Sequence, residues 1–290
     1  MTLLVLGCRG QLGRALMPVL TGRGHAVAGV DREEVDITDA RALAALVREV
    51  GPGIIVNCAA YTAVDRAEQD RDQAFAVNGA SVSTLAGLAD ENHALLVQVS
   101  TDYVFDGRQQ RPYREDDALN PLSVYGMSKL AGEEAARGAR RHLVLRTAWL
   151  YGHGGANFVG AVRRQVEGGA TELRVVDDQW GSPTFAGDLA WAVAELVAVE
   201  ATGVVHVVNE GATTWCGFAR EILRQMGSVI PVAPITTREA NRPAPRPANS
   251  VLDPSRLRSL LCRGLPPWQD GLTRYLAGET SASGGGERTG

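Results

Sequence analysis

Thr2-Leu3-Leu4-Val5-Leu6-Gly7-Cys8-Arg9-Gly10-Gln11-Leu12-Gly13 opens the chain, and its reading decides the fold. Residues 2–6 form an almost wholly apolar run, the pattern of a strand covered on both faces. Glycines then recur every third position, and residues 11–21 read as a helix. Where a Cβ is missing the chain can turn tightly and approach a pyrophosphate, while N–H groups and dipole at the helix start hold the anion. A glycine triplet is weak evidence in a chain with 33 glycines. Its context is stronger: a strand before, a helix after, and Asp31 at the end of the next strand. An acidic residue there accepts hydrogen bonds from an adenosine ribose.

Outward from this stretch, short apolar strands alternate with helices. Strands are expected at 26–30, 54–57, 95–100 and 143–146, with helices at 39–50, around 65–92 and at 123–139. Asp39 is placed to cap its helix, in which Leu43, Leu46, Val47 and Val50 repeat at helical spacing. The pattern predicts an α/β fold: a Rossmann-type doubly wound parallel sheet that binds ligands at the carboxyl ends of its strands. Residues 1–150 are expected to form this dinucleotide-binding domain. Residues 151–279 make mainly a smaller, interleaved substrate domain, with helices at 158–166, 185–199 and 215–226 and a strand at 204–208. Segments near 185–210 are expected to return to the first sheet. The proline- and arginine-rich stretch 231–247 reads as an extended loop, and residues 280–290 as a disordered tail.

Composition excludes several classes. The chain has 290 residues, is 45% hydrophobic and 21% charged, and carries a net charge of −4. A field of that sign does not favour nucleic acid. The longest apolar runs fall far short of the ~20 residues of a membrane span. Gly7, Arg9, Gly10 and Gln11 interrupt what would otherwise be a signal-peptide core, so a cytoplasmic address is expected. Cys8, Cys58, Cys216 and Cys262 are scattered without metal-ligand spacing and read as free thiols, so no metal site is expected.

The chemistry is expected at Tyr125-Gly126-Met127-Ser128-Lys129. Of 29 basic residues, Lys129 is the sole lysine. A chain that otherwise uses arginine tolerates it wherever a generic cation serves. Lysine offers instead a compact ammonium with an adjustable pKa. One helical turn separates Tyr125 from Lys129, so the two share a face. An ammonium beside the phenol would lower its pKa from about 10; a shift of ~2–3 units means ~3–4 kcal/mol of differential stabilisation. Such a tyrosine gives its proton to a carbonyl oxygen as hydride arrives. Ser100-Thr101-Asp102-Tyr103 ends the fourth strand, on the same edge of the sheet.

The GxxGxxG spacing at the start of the chain resembles that of extended short-chain dehydrogenase/reductases. Further segments are similar to one family among them, the dTDP-4-dehydrorhamnose reductases: Asn57-Cys58-Ala59-Ala60-Tyr61-Thr62-Ala63-Val64-Asp65, Ser100 to Gly107, Val124 to Glu133, Arg146 to Gly152, Asp178-Gln179-Trp180-Gly181-Ser182-Pro183-Thr184, and Arg246 to Asp253. They follow the family's order from residue 1 to about 277. The resemblance implies reduction of the C4 ketone of a dTDP-4-dehydro-6-deoxyhexose, with NADPH or NADH as cofactor. It implies that Tyr125 is the proton donor, Lys129 its electrostatic partner and a ligand of the nicotinamide ribose, and Thr101 the hydroxyl that orients the ketone. Asp102 and Trp149 match positions that contact the sugar. Gly7, Gly10, Gln11, Leu12, Gly13, Asp31, Arg32, Asp36, Ile37, Ala60 and Thr62 match the cofactor's path. Asp31 repels a 2′-phosphate and Arg32 attracts one, so either nicotinamide is expected to be accepted. Members can carry a glutamate after the third glycine that contributes to a metal-bridged dimer; here Arg14 and Ala15 follow, so a monomer stands beside a homodimer.

Two features stay open. Arg242 and Arg246, set among prolines, read equally as a rigid basic loop meeting the diphosphate and as a solvated connector. The substrate is most simply dTDP-4-dehydro-L-rhamnose, yet a sister 4-ketoreductase of antibiotic deoxysugar synthesis, such as a dTDP-dihydrostreptose synthase, has the same signature. A sugar-nucleotide dehydratase would need an acidic pair after Thr101, where Asp102 is followed by Tyr103. A non-catalytic regulatory subunit would not need the Thr101, Tyr125 and Lys129 set.

Overall fold

The computed structural model describes residues 1–283. Its N-terminal half runs β1 (Thr2–Leu6), α1 (Gln11–Gly22), β2 (Ala26–Val30), α2 (Ala40–Val50), β3 (Ile54–Asn57), α3 (Val64–Ala67), α4 (Arg71–Phe75), α5 (Ser81–Glu91), β4 (Leu95–Thr101), α6 (Val124–Ala136) and β5 (His142–Thr147). The C-terminal half adds β6 (Leu150–Tyr151), α7 (Phe158–Glu167), β7 (Leu173–Val176), β8 (Trp180–Gly181), β9 (Thr184–Phe185), α8 (Ala186–Ala198), β10 (Gly203–His206), β11 (Thr213–Thr214), α9 (Trp215–Gln225), β12 (Val232–Ile235), α10 (Thr237–Ala240), α11 (Ser255–Leu261) and α12 (Trp268–Ser283).

Six strands form one all-parallel sheet in the order β10-β5-β4-β3-β1-β2. The chain steps from β1 to β2, then crosses back past β1 to β3. Strand order therefore reverses between β1 and β3, and a crevice opens at the carboxyl ends there. Successive side chains of a strand point to opposite faces. Leu3 and Val5 accordingly enter the core under α1 and α8, while Leu4 and Leu6 enter the core under α2 and α5. All four are fully buried, which is why this strand reads as a continuous apolar run. The Asp39 carboxylate accepts from Arg41 N and Ala42 N and caps α2.

Residues 186–206 complete the N-terminal layer. Helix α8, apolar nearly all round, contributes Leu189, Val193 and Leu196 to the core that holds Leu12 and Leu16 of α1, and β10 pairs with β5. A third core, around Tyr151, Phe218, Trp268 and Leu272, belongs to the C-terminal half. Two expectations are corrected. The stretch 231–247 contains β12, parallel to β7, and α10, opened by a Thr236/Glu239 capping box. Pro234 is tolerated because a two-stranded edge leaves one side of its backbone unpaired. Helix α12 continues through Ser283, and residues 284–290 of the expected disordered tail lie outside the described residues.

Candidate active site

At the carboxyl ends of the strands lies a cleft of about 970 Å³. Sixteen residues singled out in the sequence line it: Gly7, Gly10, Gln11, Leu12, Gly13, Asp31, Arg32, Asp36, Ile37, Ala60, Thr62, Thr101, Asp102, Tyr125, Lys129 and Trp149. Its floor is the glycine loop. Gly7 has φ +73°, and a Cβ there would lie 2.8 Å from Ala59 N. At Gly13 a Cβ would fall 2.3 Å from Gly7 O. Only glycine lets loop, helix and strap approach so closely. No side chain caps α1, whose N-cap is Gly10, so the first turn can face an anion. Gln11 turns its amide toward Ala156 O (3.4 Å) and accepts from Asn157 Nδ2 (3.2 Å), joining the loop to the C-terminal half. The Asp31 carboxylate is held by Arg9 N and Arg32 N, both at 2.8 Å. These features fit a dinucleotide: a glycine cradle for the pyrophosphate and a fixed carboxylate for the ribose.

The strap after β3 carries Ala60 and Thr62. It is fastened by Asn78, which accepts from Tyr61 N (2.9 Å) and donates to Tyr61 O (3.0 Å) and Ser128 Oγ (2.9 Å). Asn78 sits in a single π-helical turn, Ala76–Ala80, between α4 and α5. Such turns frequently mark functional sites. Helical periodicity over 65–92 does not reveal it.

The catalytic wall comes from α6 and the end of β4. Ser123 caps α6 through Gly126 N, and Tyr125 and Lys129 present the same face to the cleft. Their relation corrects the expectation of an ammonium against the phenol. Lys129, 4% exposed, donates to Val99 O at 2.7 Å. Burial lowers its pKa to about 8, with Glu133 and Cys58 acting in the opposite direction. Burial pushes the Tyr125 phenol up to about 12, even with a hydrogen bond from Thr101 acting the other way. The phenol is therefore held neutral, an acid rather than a tyrosinate.

Beside it, Thr101 Oγ1 donates to Asp102 Oδ1 at 2.9 Å. Burial raises the Asp102 carboxyl to about 6, against the lowering effect of the nearby Ser250 and Thr101 hydroxyls. Even so, Asp102 Oδ2 has no hydrogen-bond partner of proper geometry, and neither has Thr147 Oγ1, two buried oxygens of the cleft wall. Thr147 pairs with Thr101 in the β4–β5 register. Buried oxygens without partners are costly.

Beneath this wall the Arg146 guanidinium grips Glu133 through two hydrogen bonds (2.9 and 2.8 Å), both side chains fully buried, and Ser100 Oγ adds a third at 2.6 Å. The pair ties α6 to β5.

Trp149 follows β5 with φ +46° and stacks on Trp215, ring centroids 3.5 Å apart. Trp215 also lines the cleft; in the sequence it reads only as the start of a helix, which Thr214 caps. Tyr61, Arg66, Asp70 and Gln73 line the cleft as well. Arg246 and Arg242 do not: both face Asp65, at 2.9 and 3.8 Å. That neutralises the loop expected as one alternative to meet a diphosphate. The four cysteines are free. No group of metal-ligating residues is found among the described residues, nor a helix long and apolar enough to cross a membrane.

A dinucleotide cleft with a half-buried Tyr125, a buried Lys129 and a strand-end threonine defines a nicotinamide-dependent oxidoreductase of the short-chain type. The model of the RmlD substrate binding domain family matches residues 1–281. The dTDP-4-dehydrorhamnose reductase of Streptomyces griseus is 44% identical over 93% of this chain and 91% of its own length. A Streptomyces antibioticus protein described as a probable dTDP-4,6-dihydroxy-2-methyloxan-3-one 4-ketoreductase is 42% identical over 93% and 92%. The crystal structure of dTDP-4-dehydrorhamnose reductase from Bacillus anthracis, in complex with NADP, superposes with a TM-score of 0.92 at 35% identity, covering 96% of this chain and 99% of that one. The chain belongs to the dTDP-4-dehydrorhamnose reductase family.

Proposed function

We propose that the protein reduces the C4 ketone of a dTDP-4-dehydro-6-deoxyhexose, converting dTDP-4-dehydro-L-rhamnose to dTDP-L-rhamnose. The observation that carries this reading is the convergence of Tyr125, Lys129 and Thr101 with the glycine loop on one cleft.

The reduced nicotinamide supplies the hydride. Gly7, Gly10, Gln11, Leu12 and Gly13 cradle its pyrophosphate, Asp31 and Arg32 receive the adenosine ribose, and Asp36 with Ile37 flank the adenine. Ala60 and Thr62 run along the cofactor. Thr101 orients the ketone oxygen, and Tyr125 Oη releases its proton to that oxygen as the carbon is reduced. Lys129 holds the nicotinamide ribose and offsets the charge left on the phenol. Asp102 accepts from a sugar hydroxyl and Trp149 packs against the ring. Both NADPH and NADH are accepted, because Asp31 and Arg32 oppose each other at the 2′ position. The protein acts in the cytoplasm as a monomer or homodimer.

A sister reading, a 4-ketoreductase of antibiotic deoxysugar synthesis, is favoured by the 42% identity to the Streptomyces antibioticus protein. NMR of the product formed from dTDP-4-dehydro-L-rhamnose decides: the rhamno configuration at C4 supports the first reading. Turnover of a different ketosugar with none of this one supports the second.

A further inference from the structure

Trp149 is held in a way that its own strand does not explain. It lies two residues beyond Thr147, the register partner of Thr101, and lines the same cleft as that hydroxyl. Its backbone is left-handed, φ +46°, a conformation that bulky side chains adopt only when their surroundings impose it. The imposing parts come from one small ribbon. Strand β8 pairs antiparallel with β11, matching Gly181 to Thr213. Gly181 bears directly on the indole: a Cβ there would lie 2.3 Å from Trp149 Cε2 and 2.5 Å from Nε1. Immediately after β11, Trp215 lays its ring parallel to that of Trp149, with 6° between the planes. The ribbon is itself rigid. Thr214 Oγ1 donates to Asp177 Oδ1 at 2.5 Å and accepts from Gly217 N; Phe158 packs against Trp215 at 4.7 Å between centroids. Thr184 N donates to Trp149 O at 3.3 Å.

We propose that Trp215 and Gly181 are positioning residues that clamp the Trp149 indole, and so set how the substrate's 6-deoxyhexose ring faces Tyr125. The inference rests on the function proposed above. Neither residue needs to touch the reacting carbon. Without the clamp the indole escapes its strained position, and the ring can present the wrong face of its ketone.

Wild type, Trp215→Phe, Trp215→Ala and Gly181→Ala are compared for ketosugar KM, cofactor Kd and the C4 configuration of the product. In Trp215→Ala and Gly181→Ala the sugar KM rises about tenfold or more while cofactor Kd stays within about twofold. Part of the product then carries the opposite C4 configuration. Trp215→Phe, which still stacks, recovers most of the sugar KM. If both disruptive variants keep sugar KM within about twofold and a single product epimer, the clamp is overturned. Should Trp215→Ala fail to fold, Gly181→Ala and Trp215→Phe carry the same decision. A wild type that reduces no dTDP-ketosugar overturns the function instead. The clamp is then judged by the far-ultraviolet exciton couplet of the stacked indoles, which Gly181→Ala must change; an unchanged couplet overturns it.

Discussion

Tyr125 and Lys129 divide the work differently from what their spacing suggests. The ammonium sits back on the Val99 carbonyl, while burial keeps the phenol protonated. A protonated phenol is what a reductase needs, since the ketone oxygen must receive a proton. Two titrations then bracket the activity. Asp102 must be ionised to accept from a sugar hydroxyl, and its carboxyl is raised to about 6. Lys129 must be charged to offset a developing tyrosinate, and its ammonium is lowered to about 8. Sugar kcat/KM is therefore expected to rise with pH through about 6 and fall through about 8. Asp102→Asn removes the acid limb; an unchanged acid limb in that variant would assign it to another group. Lys129→Arg is expected to lower kcat by about a hundredfold or more, because the broad guanidinium does not fit the ammonium's place under β4. Near-normal turnover in steady-state assays would refute Lys129's role.

Among the elements, the strand–loop–helix opening is the most fully legible. The apolar run of β1, the glycines and the alternation that follows all reflect local rules that tertiary structure did not override. Gly13→Ala is expected to abolish cofactor binding in a fluorescence titration, since the new methyl would fall 2.3 Å from Gly7 O and 2.6 Å from Cys8 Cα. Unaltered binding would mean that the loop tolerates what its geometry forbids. The buried ion pair is a second case. Glu133→Ala leaves the Arg146 charge uncompensated in the core, and denaturant unfolding is expected to register a loss of about 3–5 kcal/mol. A loss under about 1 kcal/mol would show that water reaches the pair. Less was legible where long-range contacts decide. Short β7, β8, β11 and β12 carry no strong periodicity, and β12 contains Pro234, so its pairing with β7 depends on a partner some sixty residues earlier. Trp215 looks like any helix-start aromatic until the β8–β11 ribbon sets it over Trp149. The π turn at Asn78 shifts the helical phase by one residue, a break that the short segments around it are too brief to display.

The whole molecule is interleaved rather than divided. Helix α8 and strand β10, drawn from the C-terminal half, finish the layer and sheet begun by α1 and β5. Asp65 reaches from the strap region to Arg246 and Ala244 N of the late loop. Unfolding by urea is accordingly expected to show one transition, coincident by far-ultraviolet circular dichroism and tryptophan fluorescence. Two separated transitions would mean that the halves fold independently.

That arrangement converges on one cleft and one acid. The most direct test is the rate at which wild type and Tyr125→Phe reduce dTDP-4-dehydro-L-rhamnose at saturating NADPH, with cofactor Kd measured alongside. The expected result is brisk turnover by wild type and a loss of about a thousandfold or more in Tyr125→Phe, with cofactor Kd unchanged within about twofold. Turnover by Tyr125→Phe within about tenfold of wild type would contradict the account, because the proton would then reach the ketone from elsewhere.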